Sequence, residues 1–372
     1  MRVYLFPCIE KNIGDDLFIK LLCERYPEIN FIISDRAKYG SLHKIPNLYF
    51  SKKLRKWLWA TSLNPQNSLK KIIALILSAL YRMQIPKGDV GISIVGNAFK
   101  NMSYTGWNQS RWVRARIKLV KNFYLISTNF GPYYDENWKK DFEKIYPHMT
   151  DVCFRDEYSY ELFKKLPNVR FAPDAVISLG KQQTENGGNK RVVISLIDCS
   201  FVARSKELHR VVGIYETKMI EVAEKFLSNG YKVTFLNSNA EQDRPACNRI
   251  LSAFHSNDVE VLDYDGNLEP IFDLYKKSTC VVATRLHTII LAWLYNLPVV
   301  PIVYDIKVEN LLNSYNFNSD RYDIKNLEKI SSTDIFNSAQ RYNFVLSKKI
   351  IEASHLQFMG VDAEFSKLGV KK

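Results

Sequence analysis

The sequence predicts an α/β protein with two doubly wound parallel sheets in series. Three observations support this prediction. Short runs of β-branched or aromatic residues alternate with longer helical stretches, the pattern of parallel βαβ units. The chain has 372 residues, which is more than one hydrophobic core usually holds. A polar stretch with three glycines, 180–189, separates two such patterns. We therefore expect two domains, each with its own core.

The first half opens with an apolar run that predicts the first strand. Further runs rich in β-branched and aromatic residues predict the other strands of this half, because such side chains fit a pleated surface. The predicted strands are 2–6, 30–34, 90–95, 123–127, 152–155 and 169–172, and the predicted helices are 15–26, 68–83, 111–121 and 138–146. These elements predict an N-terminal Rossmann-like domain over residues 1–180.

The second half repeats the alternation more regularly after a linker, predicted at 181–190. Its predicted strands are 191–197, 233–237, 259–262, 280–283 and 299–303, and its predicted helices are 211–228, 242–254, 269–277 and 286–295. Gly230 suits a C-cap of the helix that precedes it. The order predicts a second Rossmann-like domain over 191–335. Residues 333–354 look helical, and we expect a C-terminal helical segment, 336–372, to cross back onto the first domain.

Two Rossmann-like domains in series predict a GT-B-like enzyme, in which the domains face a cleft. Ligands of open α/β sheets bind beyond the carboxyl ends of the strands, so the loops after strands carry the candidate site. The six cysteines lack any Cys-x-x-Cys pair and the six histidines lack ligand spacing, so we expect reduced thiols and no metal. We find neither a signal peptide nor a membrane span, and expect a cytoplasmic protein.

The strongest single motif is Arg285-Leu286-His287, between a buried strand and an apolar helix. Backbone N–H groups at a helix start, with an arginine beside them, form a site for phosphate or carboxylate. An imidazole can exchange protons near neutral pH. The alternative is an arginine in an ordinary ion pair and a histidine at a helix cap, and the residues alone favour neither.

A second motif, Asn12-Ile13-Gly14-Asp15, follows the first strand. Gly14 permits a tight turn, and Asp15 or Asp16 can cap the next helix; an aspartate here could also accept a proton from a sugar hydroxyl. Taken alone, capping is the better explanation. Four more loops follow predicted strands: Gly96-Asn97, Gly131-Pro132, Arg155-Asp156 and Ala172-Pro173-Asp174.

In this order the motifs resemble those of the polysaccharide pyruvyl transferase family. The matching pieces run from Asn12-x-Gly14-Asp15, through the four loops, to Arg285-Leu286-His287 and Tyr304-Asp305-x-Lys307. The resemblance covers about residues 3 to 312. It implies phosphoenolpyruvate as co-substrate, no further cofactor, and a pyruvate ketal formed on a sugar of an exopolysaccharide, a capsule or a lipid-linked oligosaccharide.

The resemblance also implies roles for individual residues. His287 and Asp15 would be catalytic, and Arg285, Arg155 and Lys307 would bind the donor. Asn12, Gly14, Gly96, Asn97 and Asp174 would line the acceptor side or the cleft. One position departs from the family pattern: Ile197 stands where many members have an arginine. Either Arg204 or Arg155 replaces that arginine, or donor binding differs, or the chain is an inactive or repurposed member.

Positive charge is concentrated in residues 36–134. This stretch has seventeen Lys or Arg and one acid, Asp89, for a charge of 17 − 1 = +16, whereas the whole chain carries +13. We expect this face to attract anions. Lys70 and Lys71 precede an apolar run in the predicted helix 68–83, which suits docking on the anionic inner face of the membrane. The alternative is that the helix packs on the core and its lysines are only solvated.

Two other function classes compete with the pyruvyl transferase. A nucleotide-sugar glycosyltransferase of the same architecture also needs a cleft, an anion clamp and a basic acceptor surface. A nucleic-acid-binding protein would explain the basic stretch with Trp57, Trp59, Trp107 and Trp112. No helix-turn-helix or RNA-recognition signature accompanies that charge, so we expect no nucleic-acid partner.

Overall fold

The structure is a computed structural model that describes residues 1–7, 11–35, 40–63, 68–96, 99–101, 106–185, 190–202, 204–341 and 344–370. It contains two compact units. The first comprises Met1–Ile9, Leu17–Ser178 and Glu352–Lys372, and the second comprises Glu10–Asp16 and Leu179–Ile351.

The first unit is built on a parallel sheet. Its strands are β1 (Val3–Pro7), β2 (Phe31–Ser34), β3 (Leu48–Ser51), β4 (Gly88–Ile94), β5 (Phe99–Asn101), β6 (Val120–Thr128), β7 (Phe130–Tyr133), β8 (Asp151–Phe154) and β9 (Val169–Phe171). Seven of the described strands form one sheet in the order β3-β2-β1-β4-β6-β8-β9, and every neighbouring pair is parallel. The remaining two, β5 and β7, pair separately.

Helices connect these strands, as a parallel sheet requires. They are α1 (Ile13–Arg25), α2 (Lys52–Ser62), α3 (Ser68–Met83), α4 (Gly106–Leu119), α5 (Glu136–Ile145) and α6 (Glu157–Phe163). Several of these helices have a side-chain N-cap. The Ser51 Oγ accepts a hydrogen bond from the Leu54 N–H, and the Asp135 carboxylate accepts one from the Asn137 N–H. An aromatic cluster that includes Phe130, Phe142 and Tyr146 fills the core.

The second unit has a six-stranded parallel sheet. Its strands are β10 (Arg191–Ser195), β11 (Lys232–Asn237), β12 (Val259–Asp263), β13 (Cys280–Ala283), β14 (Val299–Val303) and β15 (Tyr322–Asp323). Their order, β12-β11-β10-β13-β14-β15, is the doubly wound order of a Rossmann sheet. Every residue of β13 is buried, as expected for a central strand covered on both faces.

Seven helices of the described chain belong with this sheet. They are α7 (Lys206–Arg210), α8 (Val212–Ser228), α9 (Ala240–Leu251), α10 (Glu269–Lys276), α11 (Leu286–Leu294), α12 (Ile306–Ser314) and α13 (Ser332–Ser338). The chain ends with α14 (Lys348–Ser354) and α15 (Met359–Lys367), and short 3-10 helices lie at Gly40–Lys44, Tyr146–His148, Ala175–Leu179, Ile324–Lys329 and His355–Phe358. Gly230 has φ +77° after α8, which is the left-handed conformation that a C-cap glycine adopts.

The C-terminal segment returns to the first unit. Gln357 accepts a hydrogen bond from Ser127 N–H at 2.9 Å and donates to the carbonyls of Phe154 and Ala172 at 3.1 and 2.6 Å. Arg25 pairs with Asp362 at 2.7 Å. The return, the α/β class and the two Rossmann-like sheets are therefore confirmed.

Two local element predictions differ from the structure. Residues 333–354 do not form one helix: α13 ends at Ser338 and packs on α8 in the second unit, where Phe336 contacts Phe226 with 5.0 Å between ring centroids. Strand β3 and helix α2 were not expected, because β3 is short and the lysines of α2 hide its apolar period. Residues 11–16 group with the second unit, and the domain bounds 1–180 and 191–335 stay a prediction.

No helix in the part of the chain that the structure describes is both long and apolar enough to span a bilayer.

Candidate functional site

The candidate site lies at the carboxyl ends of the second sheet. The strand order reverses direction between β10 and β13, and open α/β sheets bind ligands just beyond the strands at such a point. Strand β10 ends at Ser195 and β13 ends at Ala283. The Thr284 N–H donates to the Ser195 carbonyl at 3.2 Å, so the Arg285-Leu286-His287 motif begins at the reversal.

Arg285 is the N-cap residue of α11, with extended backbone angles, φ −94° and ψ 139°. The residue is 8% exposed, and its guanidinium donates to the Asp243 carboxylate. Burial disfavours the charged form, but the adjacent Asp243 carboxylate outweighs it and the pKa of Arg285 is raised. Arg285 is therefore a fixed, buried cation.

Asp243 holds two arginines at this point. It lies in the first turn of α9, is fully buried, and accepts from the Asp198 N–H at 2.9 Å. Arg204 approaches the same oxygen, Oδ1, at 3.5 Å, whereas Arg285 donates to Oδ2. Arg204 follows the loop after β10, so two chain segments deliver guanidinium groups to one carboxylate. Ile197, the position where the sequence comparison leads us to expect an arginine, is fully buried.

Tyr304 lies among three cations. The Lys307 ammonium is 5.2 Å and the Arg204 guanidinium 5.3 Å from the centre of its ring. Burial opposes ionisation of the phenol, but Lys307, Arg285 and Arg204 together lower the pKa of Tyr304 to about 8. Such a shift requires a strongly positive local potential. We call Arg204, Arg285, Lys307 and Tyr304 the cationic cluster.

Two donors of the cationic cluster have unused hydrogen-bonding capacity. Within the described residues, the buried Arg285 Nε and Tyr304 hydroxyl have no hydrogen-bond partner. Buried polar groups are otherwise almost always paired. Positive potential together with unused donors suits an anionic ligand that brings acceptor oxygens.

The Asn12-Ile13-Gly14-Asp15 motif lies against His287 in the same unit. A Cβ added to Gly14 would overlap the imidazole of His287, so only glycine leaves room for this ring. The Asn12 side chain accepts from the Gly14 N–H at 3.0 Å, and the Ile13 N–H donates to the Ser238 carbonyl at 3.3 Å. The structure therefore brings together two motifs that are more than 270 residues apart.

Two adjacent aspartates open α1 and differ in environment. Asp15 is 9% exposed, whereas Asp16 is 2% exposed and accepts a hydrogen bond from the Tyr264 hydroxyl at 2.6 Å. Burial, opposed by that hydrogen bond and assisted by Asp15, raises the pKa of Asp16 to about 8. Asp16 is therefore protonated near neutral pH, and Asp15 is the more accessible carboxylate.

The other predicted site residues lie in the first unit and are tightly packed. Arg155 is 3% exposed and pairs with the fully buried Asp174 at 2.8 Å. It also donates to the carbonyl of Gly96 at 2.7 Å and the side chain of Asn129 at 2.9 Å. These contacts give Arg155, Asp174 and Gly96 a structural role, and their predicted part in binding stays a prediction. Asn97 lies outside the described residues.

Sequence reasoning did not identify Asp243 or the Asp16–Tyr264 pair. A signal for Asp243 was present, because an acid in the first turn of a helix that follows a strand is a candidate cleft residue. No sequence signal pairs Asp16 with Tyr264, since 248 residues separate them. Among the described residues, no group of three or more His, Cys, Asp or Glu could hold a metal ion.

Solved structures share the fold at low sequence identity. The UDP-GlcNAc 2-epimerase of Methanocaldococcus jannaschii, in complex with UDP-GlcNAc and UDP, matches with a TM-score of 0.55 and 11% identity, over 96% of this chain and 99% of that one. The UDP-GlcNAc 2-epimerase of Neisseria meningitidis, bound to UDP-GlcNAc, matches with a TM-score of 0.53 and 14% identity, over 98% and 100%. A weaker match, which does not by itself establish a shared fold, is TarM, with a TM-score of 0.45 and 13% identity; it covers 80% of this chain, and this chain covers 58% of TarM. No curated protein sequence matches the chain.

A sequence profile establishes the family. The profile of the polysaccharide pyruvyl transferase family matches residues 12–306, well over half of the chain. The matched range begins at Asn12 and includes Arg285 as well as Gly14 and His287, which meet in the second unit. Together with the two Rossmann-like sheets, the match supports a transferase that modifies polysaccharide. The chain belongs to the polysaccharide pyruvyl transferase family.

Proposed function

We propose that the protein transfers the pyruvyl group of phosphoenolpyruvate to a sugar of a polysaccharide or a lipid-linked oligosaccharide, forming a pyruvate ketal. The observation that carries the proposal is the cationic cluster. Phosphoenolpyruvate has a carboxylate and a phosphate, so its site needs several positive groups and hydrogen-bond donors. Arg204, Arg285 and Lys307 supply the charge, and Tyr304 and Arg285 Nε supply unused donors.

Arg204 takes the place of the missing family arginine in this proposal. It shares Asp243 with Arg285 and contacts the ring of Tyr304. Arg155, the other candidate for that role, lies in the first unit and uses its guanidinium on Asp174, Gly96 and Asn129. The donor therefore binds Arg204 and Arg285, with Lys307 beside them.

His287, in its protonated form, gives a proton to the methylene carbon of phosphoenolpyruvate while a sugar hydroxyl attacks C2. Asp15 orients that hydroxyl and accepts its proton. The bond from C2 to the phosphate oxygen then breaks, a second sugar hydroxyl forms the second C–O bond at C2, and the proton of that hydroxyl leaves with the phosphate. Exchange with solvent returns the first proton from Asp15 to His287. The products are the ketal and inorganic phosphate, and the cationic cluster stabilises the negative charge that develops on the leaving phosphate.

Thermal stabilisation separates the proposed donor from the rival one. Phosphoenolpyruvate should raise the melting temperature in a concentration-dependent way, and UDP-sugars should not. Arg204→Gln should remove most of the stabilisation by phosphoenolpyruvate. Arg341→Gln is the matched control, because Arg341 is in the same unit with a 72% exposed side chain. Stabilisation by UDP-sugars alone would favour the glycosyltransferase.

Turnover tests the chemistry separately from binding. With phosphoenolpyruvate and an extract of lipid-linked sugars, phosphate release should accompany the mass gain of a ketal. His287→Ala should keep donor binding and lower turnover by about two to four powers of ten, the usual loss for a general acid or base. Full activity of this variant would remove the role given to His287.

A further inference from the structure

Helix α3 turns its large apolar side chains outward. Ile72, Ile73, Ile76, Leu80 and Met83 are between 47% and 82% exposed. With about 3.6 residues per turn, these five positions form a stripe about 100° wide along the helix. Ala74, which projects from the other side, is 1% exposed. The helix therefore attaches to its unit by the side that carries Ala74 and the half-buried Leu77 and Tyr81, and the apolar stripe stays exposed in the described part of the chain.

Exposed cations lie on the helix that packs next to α3. Helix α2 packs on α3 and exposes Lys52, Lys53, Arg55 and Lys56. The same helix carries Trp59, which is 53% exposed. The one acid within residues 36–134, Asp89, pairs with Lys121 at 2.8 Å. A contiguous apolar surface on a soluble protein marks an interaction site, and here the accompanying charge is positive.

We propose that the α2–α3 face, defined by the outward residues of α2 and α3 named above, docks on an anionic lipid bilayer with α3 lying in the plane of the interface. A helix of 16 residues is about 24 Å long, less than the roughly 30 Å core of a bilayer, so it lies on the membrane and does not cross it. Apolar side chains would enter the acyl boundary, the lysines and arginines would contact anionic headgroups, and the Trp59 indole suits the headgroup depth.

The positive charge of the α2–α3 face disfavours a second copy of the chain as the partner that covers it. A two-fold interface brings the same patch of both subunits together, so the exposed cations of α2 would face their own copies. Like charges opposed in this way destabilise an interface. An anionic lipid surface neutralises the same cations and covers the apolar stripe.

Vesicle flotation of the full chain tests the docking. The protein should float with vesicles that contain roughly 30% phosphatidylserine, should not float with phosphatidylcholine alone, and should be released by salt. Ile72→Ser with Ile76→Ser should weaken binding about tenfold or more, because each change removes apolar area that enters the bilayer. The control, Val345→Ser with Leu368→Ser, alters side chains of similar exposure elsewhere, 53% and 50%, and should bind like the parent.

A charge variant separates the two contributions. Arg55→Gln with Lys56→Gln should weaken binding about fivefold for each cation removed and should reduce the salt dependence. Absence of binding at low salt would overturn the proposal. So would equal binding by the parent and both variants, or loss of a dimer in sedimentation when α3 is changed. Because flotation needs no phosphoenolpyruvate, its failure leaves the proposed chemistry untouched, and the variants should turn over a soluble acceptor normally.

Discussion

Gly14 shows how one missing side chain shapes the candidate site. The His287 ring occupies the space that a Cβ at position 14 would need. Neither residue has this meaning alone: a glycine near a helix start permits a turn, and a histidine at a helix start is often a cap. Their contact converts two weak motifs into one arrangement, because the imidazole position then depends on the Asn12-Ile13-Gly14 backbone.

Gly14→Ala should therefore displace the imidazole while leaving every other predicted site residue in place. We expect turnover to fall roughly hundredfold, since a displacement of about 1 Å in a catalytic group can cost that much. Steady-state kinetics with phosphoenolpyruvate, alongside melting temperatures, would measure both effects.

Gly213→Ala is the matched control. A Cβ at Gly213, in the first turn of α8, meets no atom within 4 Å, so activity should not change and stability should rise slightly. Equal turnover of the Gly14→Ala variant and the parent would show that the position of the ring has no catalytic importance.

Two opposing effects act on the acids at the start of helix α1. The helix dipole favours negative charge there by about 0.3–1 kcal/mol. Burial favours the neutral form of Asp16 and is the larger effect. It raises the pKa of this carboxyl to about 8 despite the hydrogen bond from Tyr264. The folded protein therefore holds a proton on Asp16 that the unfolded chain releases near its ordinary pKa of 3.8.

The sign of the resulting pH dependence follows from proton binding. Between about pH 4 and pH 8 the folded state binds more protons at Asp16 than the unfolded state does. The stabilisation from Asp16 is therefore complete below the unfolded pKa and is lost as the pH rises through the folded pKa. Asp16→Asn keeps an acceptor for Tyr264 and cannot ionise. Relative to the parent, its melting temperature should therefore increase by several degrees from pH 4 to pH 9.

A series of thermal melts across this pH range measures the difference. Asp334→Asn is the control, because Asp334 is an exposed aspartate in the first turn of α13. It should give a curve parallel to the parent. A parallel curve for Asp16→Asn as well would mean that Asp16 is ionised in the folded protein.

Across the whole molecule, the C-terminal segment completes the first unit. Gln357 is fully buried and satisfies three backbone groups from three places in that unit, at Ser127, Phe154 and Ala172. Ser127 has φ +51°, a strained conformation for a serine, and Gln357 fixes its N–H. Phe358 and Phe365 of the same segment are also buried.

Gln357→Ala should destabilise the protein by roughly 2–4 kcal/mol, because it leaves these buried groups without partners. Urea denaturation, fitted with separate transitions for the two units where they appear, would measure the loss. Gln340→Ala makes the same change at an exposed residue with one hydrogen bond, from Tyr231 at 2.7 Å, and should cost less than about 1 kcal/mol. Similar losses for both variants would contradict the role given to the C-terminal segment.

Most of the fold was predictable because parallel sheets have strong local signals. The runs at 191–197, 280–283 and 299–303 are apolar and flanked by helical stretches, and each appears as a strand close to its predicted bounds. Prediction failed where local signals conflict. Strand β3 precedes four cations in five residues, and residues 333–354 have helical composition but break after Ser338, so tertiary packing decided both.

The sequence by itself determined the two Rossmann-like sheets, the family, and the candidate pair Arg285 and His287, because these depend on periodicity and on motifs within short stretches. Only the tertiary structure decided that Gly14 lies under His287, that Arg204 joins Arg285 at Asp243, and that Arg155 is enclosed by Asp174 and Gly96. The physical reason is distance along the chain. Contacts between residues tens to hundreds of positions apart depend on how the strands are ordered in each sheet, and no local pattern records that order.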